Sequence, residues 1–287
     1  MKLLLIGHFS YDVFHEPDGT QREQPGGLQR AILCLSGLCT RQDRIIPVLG
    51  IGSDAYAKVI DEMRELPNVD SGAIFPIDGP THRVHYYPGK NRSRVACVTE
   101  MAPSISFDRI RKFLDADGVW VNMMSGRDIR LETLDEIRMA IRGSGTRVHF
   151  DFHNLTLGIG SNAERVRQPV PDWRRWGFMM NTVQLNEEEI AGLSADHLTE
   201  QQTAGHLLTL SVTGVLVTRG AAGASVYFNE HKKIVRKDFP VSQRSPGMAV
   251  GSGDLFGAAF LWHYCRTNDL FAAAEGAVSV AAESIPA

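Results

Sequence analysis

Short apolar runs of strand length alternate with segments of helical period along most of the chain, and this alternation constrains the fold more than any other feature. The runs are "LLLIG", "RIIPVLG", "VDSGAIF", "GVWVNM", "RVHFDF", "MMNTVQL" and "GVLVTRG". Most place apolar residues side by side, as strands buried on both faces of a parallel sheet do. Helical patterns cover 27–40, 54–65, 107–114, 129–142, 186–193 and 199–210. With right-handed crossovers this predicts an α/β fold, a doubly wound, mostly parallel sheet with helices on both faces. The 287 residues, 43% of them hydrophobic, suffice for one domain over residues 1–287.

Two stretches break the rhythm. "SYDVFHEPDGTQREQ" (10–24) and "THRVHYYPGKNRSRVACV" (81–98) each hold a turn signal between extended segments. Each lies between a strand and the next helix, so both are expected to leave the main sheet and form a small β lid over one edge. A third hairpin is expected in "GASVYFNEHKKIVRKDFPV", and an irregular connection over 155–177.

The segment "GMAVGSGDLFGAAF" (247–260) carries the chemistry. Gly251, Ser252 and Gly253 let the chain turn sharply into a helix whose first N–H groups favour an anion. Asp254 follows directly. It either stabilises the helix dipole from a solvent-facing position, worth up to about 1 kcal/mol, or serves as the base that takes a proton from a hydroxyl receiving a phosphoryl group.

"VGSGDLFGAAF" resembles the glycine-rich signature of the ribokinase-like (PfkB) carbohydrate kinase family, D-T-x-G-A-G-D before an apolar helix. Further family landmarks follow the same order: "LNEEE" with Asn186 and Glu189 is similar to N-x-x-E, and "VTRGAAG" with Thr218, Gly220 and Gly223 to the nucleotide-side loop. "GHFSYD" is similar to the strand end whose acid, here Asp12, binds acceptor hydroxyls. "PGG" is similar to the diglycine, Gly26 and Gly27, beside the sugar, and "GIGSDAYA" to the G-x-x-G-x-D segment opening the next helix.

The resemblance implies an ATP- and Mg2+-dependent kinase acting on a sugar, sugar derivative or nucleoside. Asp254 would be the base, Gly251–Gly253 the anion pocket, and Glu189 a holder of magnesium through water. A degenerate, non-catalytic sugar- or nucleotide-binding protein of the same fold is the alternative. Met248, Ala31 and His8 stand where the family has Asp, Asn and Asn, so the departures fall mainly on the acceptor side. A homodimer through lid strands and a self-closing monomer are both allowed.

A net charge of −3 gives no general attraction to nucleic acid or an anionic membrane. "MKLLLIG" is too short for a signal peptide, and the four cysteines, Cys34, Cys39, Cys97 and Cys265, lack metal spacing and are expected reduced, so a cytoplasmic location is expected. Other constellations are weaker. His149, Asp151 and His153 could share a strand face and bind zinc, although polar strand-end residues facing a crevice are the plainer expectation. "VLGIGSDA" meets a bare dinucleotide fingerprint without the acid that should follow. "RVRQPVPDWRRWGF" is expected to turn Trp173 and Trp176 inward.

Overall fold

A computed structural model describes residues 1–89, 94–241 and 251–283. Its central sheet is built on the apolar runs: β1 (Lys2–Ile6), β4 (Arg44–Val48), β9 (Gly118–Asn122), β10 (Arg147–Asp151), β13 (Thr182–Asn186), β14 (Gly214–Thr218), β15 (Ala224–Glu230) and β16 (Lys233–Phe239). The order across the sheet is β16-β15-β14-β13-β10-β9-β1-β4. The six strands from β14 to β4 run parallel, whereas β15 and β16 form an antiparallel edge. In the third hairpin, His231 and Lys232 both take positive φ, 49° and 66°, the backbone of a two-residue turn matched to strand twist.

Alternation along the strands separates the two cores. Leu3 and Leu5 face α1 (Leu28–Leu38), α2 (Tyr56–Arg64) and α8 (Ser252–Thr267). Leu4 and Ile6 face the layer with α3 (Phe107–Ile110), α4 (Leu131–Ala140), α5 (Trp173–Gly177), α6 (Glu187–Gly192) and α7 (Glu200–Leu208). A third cluster joins α8 and α9 (Leu270–Glu283) to β14, β15 and β16. Trp173 and Trp176 are buried, as expected of inward-facing tryptophans.

The chain passes from β1 outward to β4, then returns across β1 to β9 on the other side. The strand order therefore reverses between β1 and β9, where open α/β sheets form a crevice at the carboxyl ends of the strands.

The lid is a separate four-stranded sheet, in the order β3 (Gln21–Gly27), β2 (Phe9–His15), β7 (Arg83–Pro88), β8 (Arg94–Thr99). Its two hairpins are joined by the parallel pair β2–β7, and Phe14 stacks on Tyr86 at 5.0 Å between centroids. The run "VDSGAIF" is not one strand. The Asp70 carboxylate accepts from Gly72 N and holds a turn over 71–73, leaving only β6 (Phe75–Ile77) to pair with β5 (Gly50–Gly52). The stretch 155–177 is more ordered than an irregular connection: β11 (Leu157–Ile159) and β12 (Arg165–Arg167) form a hairpin, and Val98 N donates to Ala163 O across from the lid.

Candidate active site

Each of the apolar runs leading to the crevice ends on a polar residue: Asn122 on β9, Asp151 on β10, Asn186 on β13 and Thr218 on β14. Asn122, Asp151 and Gln184 lie side by side in register across three strands, and α8 is laid over this row. Gln184 Nε2 donates to Asp151 Oδ2 at 2.9 Å and to the Gly253 carbonyl at 3.0 Å, so it ties the sheet to the first turn of the helix. Asn122 Nδ2 donates to Asp254 Oδ1 at 2.7 Å. Asp254, only 5% exposed, is thus drawn inward over the sheet rather than facing solvent. The helix dipole still favours its charge, but the position is that of a group aimed into the crevice.

Gly251 precedes α8 with φ 96°, a conformation that strains other residues, and a Cβ there would lie 2.9 Å from Arg30 Nη1. The N–H groups of Ser252, Gly253 and Asp254 are too early in the helix to reach an intrahelical carbonyl, which makes this turn a place for an anion. Met248 lies outside the described residues.

Asp12 comes from the lid strand β2 and is 3% exposed. Burial pushes its carboxyl up to about 6; Arg30 opposes that shift, and the Asp254 carboxylate adds to it. Its Oδ1 has no hydrogen-bond partner among the described residues. A Cβ at Gly26 would fall 2.8 Å from the Asp12 carboxylate, so glycine keeps the space beside that acid open. Gly27 takes φ 59°, and a Cβ there would meet the His8 carbonyl at 2.5 Å. Gly27→Ala is therefore expected to destabilise the fold by roughly 1–3 kcal/mol. A chemical-denaturation midpoint unchanged from wild type would show that the turn relaxes freely.

Asn186 and Glu189 form a reciprocal cap on α6. Asn186 N and Nδ2 donate to the two carboxylate oxygens of Glu189, each at 2.7 Å, and Glu189 N donates back to Asn186 Oδ1 at 2.8 Å. The cap leaves Glu189 buried near the crevice. Burial raises its pKa and His153 opposes the shift. Asp151 is pushed well above the usual carboxylate range, by burial first, against the pull of His153, and then by Glu189 and Asp254.

Thr218 pairs in register with Asn186, and the Gly220–Gly223 turn follows directly, its backbone closed by Arg219 N donating to Gly223 O at 2.8 Å. Arg219 ties this loop to the start of α6 through Glu187, at 2.7 Å, and to the start of α7 through Glu200.

The proposed zinc grouping is not formed. His149 shares a face with Asp151 but lies one layer deeper, bonded to Thr182 Oγ1 at 2.9 Å and Gln184 Oε1 at 3.2 Å. The strand ends at Asp151, and His153 sits in the following turn at φ 37°, where its Nε2 lies 3.5 Å from Asp254 Oδ1. Burial alone would lower the His153 pKa, but the carboxylates of Asp254, Asp151, Glu189 and Asp128 raise it to about 9 from an ordinary 6.5. His153 is thus a cation at neutral pH. Its folded pKa lies above the unfolded one, so its pairing stabilises fully below pH 6.5 and is lost as pH rises through about 9. A shift of this size would be worth about 3 kcal/mol, and roughly half that for a ring 25% exposed. Thermal unfolding of wild type should weaken between pH 6.5 and 9.5 more than that of His153→Asn; parallel profiles would remove the cation from the account.

Two departures from the family pattern have physical explanations. His8 is buried and bonded through Nδ1 to Ser125 Oγ at 2.8 Å and through Nε2 to the Pro103 carbonyl at 3.1 Å, while its N–H donates to Asp128. It braces the crevice floor. Ala31 packs into the apolar cluster beneath α1. The glycines of "VLGIGSDA" belong to a β5–β6 pair, and Asp54 accepts from Thr81 and Arg83 of the lid rather than facing a nucleotide.

No protein-family model matches the chain, and no curated protein does. Solved structures do. A ribokinase from Thermotoga maritima is 20% identical, covers 99% of this chain and 96% of its own, and superposes with a TM-score of 0.71. The fold is ribokinase-like. Arabidopsis thaliana ribokinase, solved with ribose and ATP, is 18% identical over 98% of this chain and 91% of its own, with a TM-score of 0.71. A pyrophosphate-dependent kinase in the ribokinase family, solved with a pyrophosphate analogue and myo-inositol, is 15% identical over 98% and 94%, with a TM-score of 0.76. In this ribokinase-like fold, Asp12, Gly26, Gly27, Asn186, Glu189 and the Gly251–Asp254 turn converge around one crevice. Asn122 and His153 join them; the family resemblance covers neither, although His153 stood in the weaker zinc alternative and the polar ending of β9 was a signal that could have drawn attention to Asn122.

Proposed function

We propose that the chain is a kinase that phosphorylates a hydroxyl of a sugar, sugar derivative or nucleoside, with ATP as donor. The observation that carries this reading is the placement of Asp254. Its carboxylate is buried at a helix start whose first N–H groups reach no intrahelical carbonyl, has one oxygen held by Asn122, and faces the lid acid Asp12 across the crevice.

In this reading, Asp12 and the backbone beside Gly26 and Gly27 hold the acceptor's hydroxyls. Asp254 takes the proton of the reacting hydroxyl through its second oxygen as the hydroxyl's own oxygen bonds to the terminal phosphorus, and the bond from phosphorus to the leaving nucleoside diphosphate breaks. The N–H groups of Ser252, Gly253 and Asp254 meet the charge developing on the transferred group. Thr218, Gly220 and Gly223 border the donor side. The lid excludes water, which strengthens each of these interactions.

The residues at the strand ends fit magnesium. Asp151 and Glu189 are hard oxygen donors; burial raises the pKa of both, and Asp254 raises both further, a strain that a divalent cation relieves. Both Glu189 oxygens already accept from Asn186, so Glu189 would hold the ion through water. Magnesium bound there would offset the charge of the donor phosphates.

The departures at His8 and Ala31 favour a second reading, a binding protein that keeps the pocket without turnover. ADP release across neutral sugars, sugar acids, amino sugars, cyclitols and nucleosides separates the two. The panel should be run with ATP and, in parallel, with pyrophosphate, because both donors occur among proteins of this fold. Acceptor-dependent release supports the kinase; saturable ligand binding with no release supports the binder.

A further inference from the structure

We propose that Asn122 is the positioning residue of Asp254 and the second hydrogen-bond acceptor for the molecule being phosphorylated. The inference rests on the kinase reading for its second half only.

Asn122 is 0% exposed, at the last position of β9 beside the point where strand order reverses. Its amide has one possible orientation. Facing a carboxylate oxygen at 2.7 Å, it must present Nδ2, because two oxygens would repel. Oδ1 is then turned away from Asp254, and it has no partner among the described residues. A buried carbonyl without a donor is costly. The same condition holds for Asp12 Oδ1, the acid from the lid. Both atoms accept and neither can donate, so what completes them is O–H or N–H, not a phosphate or carboxylate oxygen. The acceptor molecule therefore presents at least two donating O–H or N–H groups besides the reacting hydroxyl, as a polyol does.

The clamp also assigns the carboxylate's two oxygens. Asn122 Nδ2 and His153 Nε2 both address Oδ1, at 2.7 and 3.5 Å. Among the described residues no such contact reaches Oδ2, which is the oxygen left to take a proton. Without the amide, the carboxylate can rotate toward His153 and lose that alignment.

The test uses the whole chain in three variants: Asn122→Ala, Asn122→Asp, and the exchange Asn122→Asp with Asp254→Asn. Thermal unfolding at pH 7 and acceptor-dependent ADP release are measured for each. Asn122→Asp sets two carboxylates against each other and is expected to melt several degrees below wild type. The exchange rebuilds the hydrogen bond with its direction reversed and is expected to recover most of that loss, though not activity. Asn122→Ala is expected to lower kcat roughly 100-fold and raise the acceptor KM while leaving the ATP KM unchanged. Wild-type kcat and acceptor KM in Asn122→Ala, or an exchange no more stable than Asn122→Asp, would overturn the proposal. A wild type that turns over no acceptor, with the exchange still recovering stability, would overturn the acceptor contact together with the kinase reading and leave the clamp supported.

Discussion

Asp254→Asn is expected to lower kcat for acceptor-dependent phosphoryl transfer by roughly 100- to 10,000-fold, the range a general base supplies. The substitution keeps the shape of the side chain and an oxygen for Asn122 to bond, so donor and acceptor KM should change little. Stability should change little. The variant gives up part of the favourable dipole interaction, up to about 1 kcal/mol, and the pairing with His153, and against this it removes a carboxylate that raises the pKa of Asp12, Asp151 and Glu189. Steady-state kinetics with an unfolding curve on the same preparation check this. Loss of activity with a collapsed unfolding transition would make Asp254 a structural residue, and full activity would remove it as the base.

Asp12→Asn is expected to have opposite effects on stability and function. The Asp12 carboxyl titrates at about 6 in the folded protein against an ordinary 3.8. Below pH 3.8 both folded and unfolded chains are protonated and the site costs nothing. Between pH 3.8 and about 6 the unfolded chain ionises first, so stability falls as pH rises, and above 6 the full cost remains. Asparagine abolishes this cost. The gain at neutral pH should be about 1–2 kcal/mol, below the full value of the shift because Arg30 loses an anionic neighbour. Its signature is a stabilisation that grows from pH 4 to 6 and then levels. Acceptor KM should rise roughly 10- to 100-fold, since a hydrogen bond to a charged group is lost. A variant less stable than wild type at neutral pH, or one with unchanged acceptor KM, would contradict this account of a buried acid kept for binding.

The sheet was legible because parallel strands buried on both faces must carry apolar residues in succession, and Leu3, Leu4, Leu5 and Ile6 do. The lid was legible from its turn residues. The stretch 155–177 was not, since β11 and β12 span three residues each and depend on pairing with each other and on the bond from distant Val98 N to Ala163 O rather than on periodicity. "VDSGAIF" misled because its apolar residues satisfy a strand pattern while Asp70 holds a turn.

For the site, the glycine-rich turn and its Asp254 could be read from the chain because they are contiguous. The weaker zinc alternative fails at His153, where the strand has already ended. Asn122 carried only a faint signal, one polar residue closing an apolar run, and Gln184 is one polar residue inside such a run; only register across β9, β10 and β13 lines them up beneath α8.

The most direct test of the central claim is transfer of labelled γ-phosphoryl from ATP to a polyol acceptor, with the product isolated, in wild type and Asp254→Asn. The account predicts a phosphorylated acceptor that depends on magnesium and vanishes in the variant. Saturable binding of ATP and acceptor by the wild type, with no labelled product from any member of the panel, would contradict it.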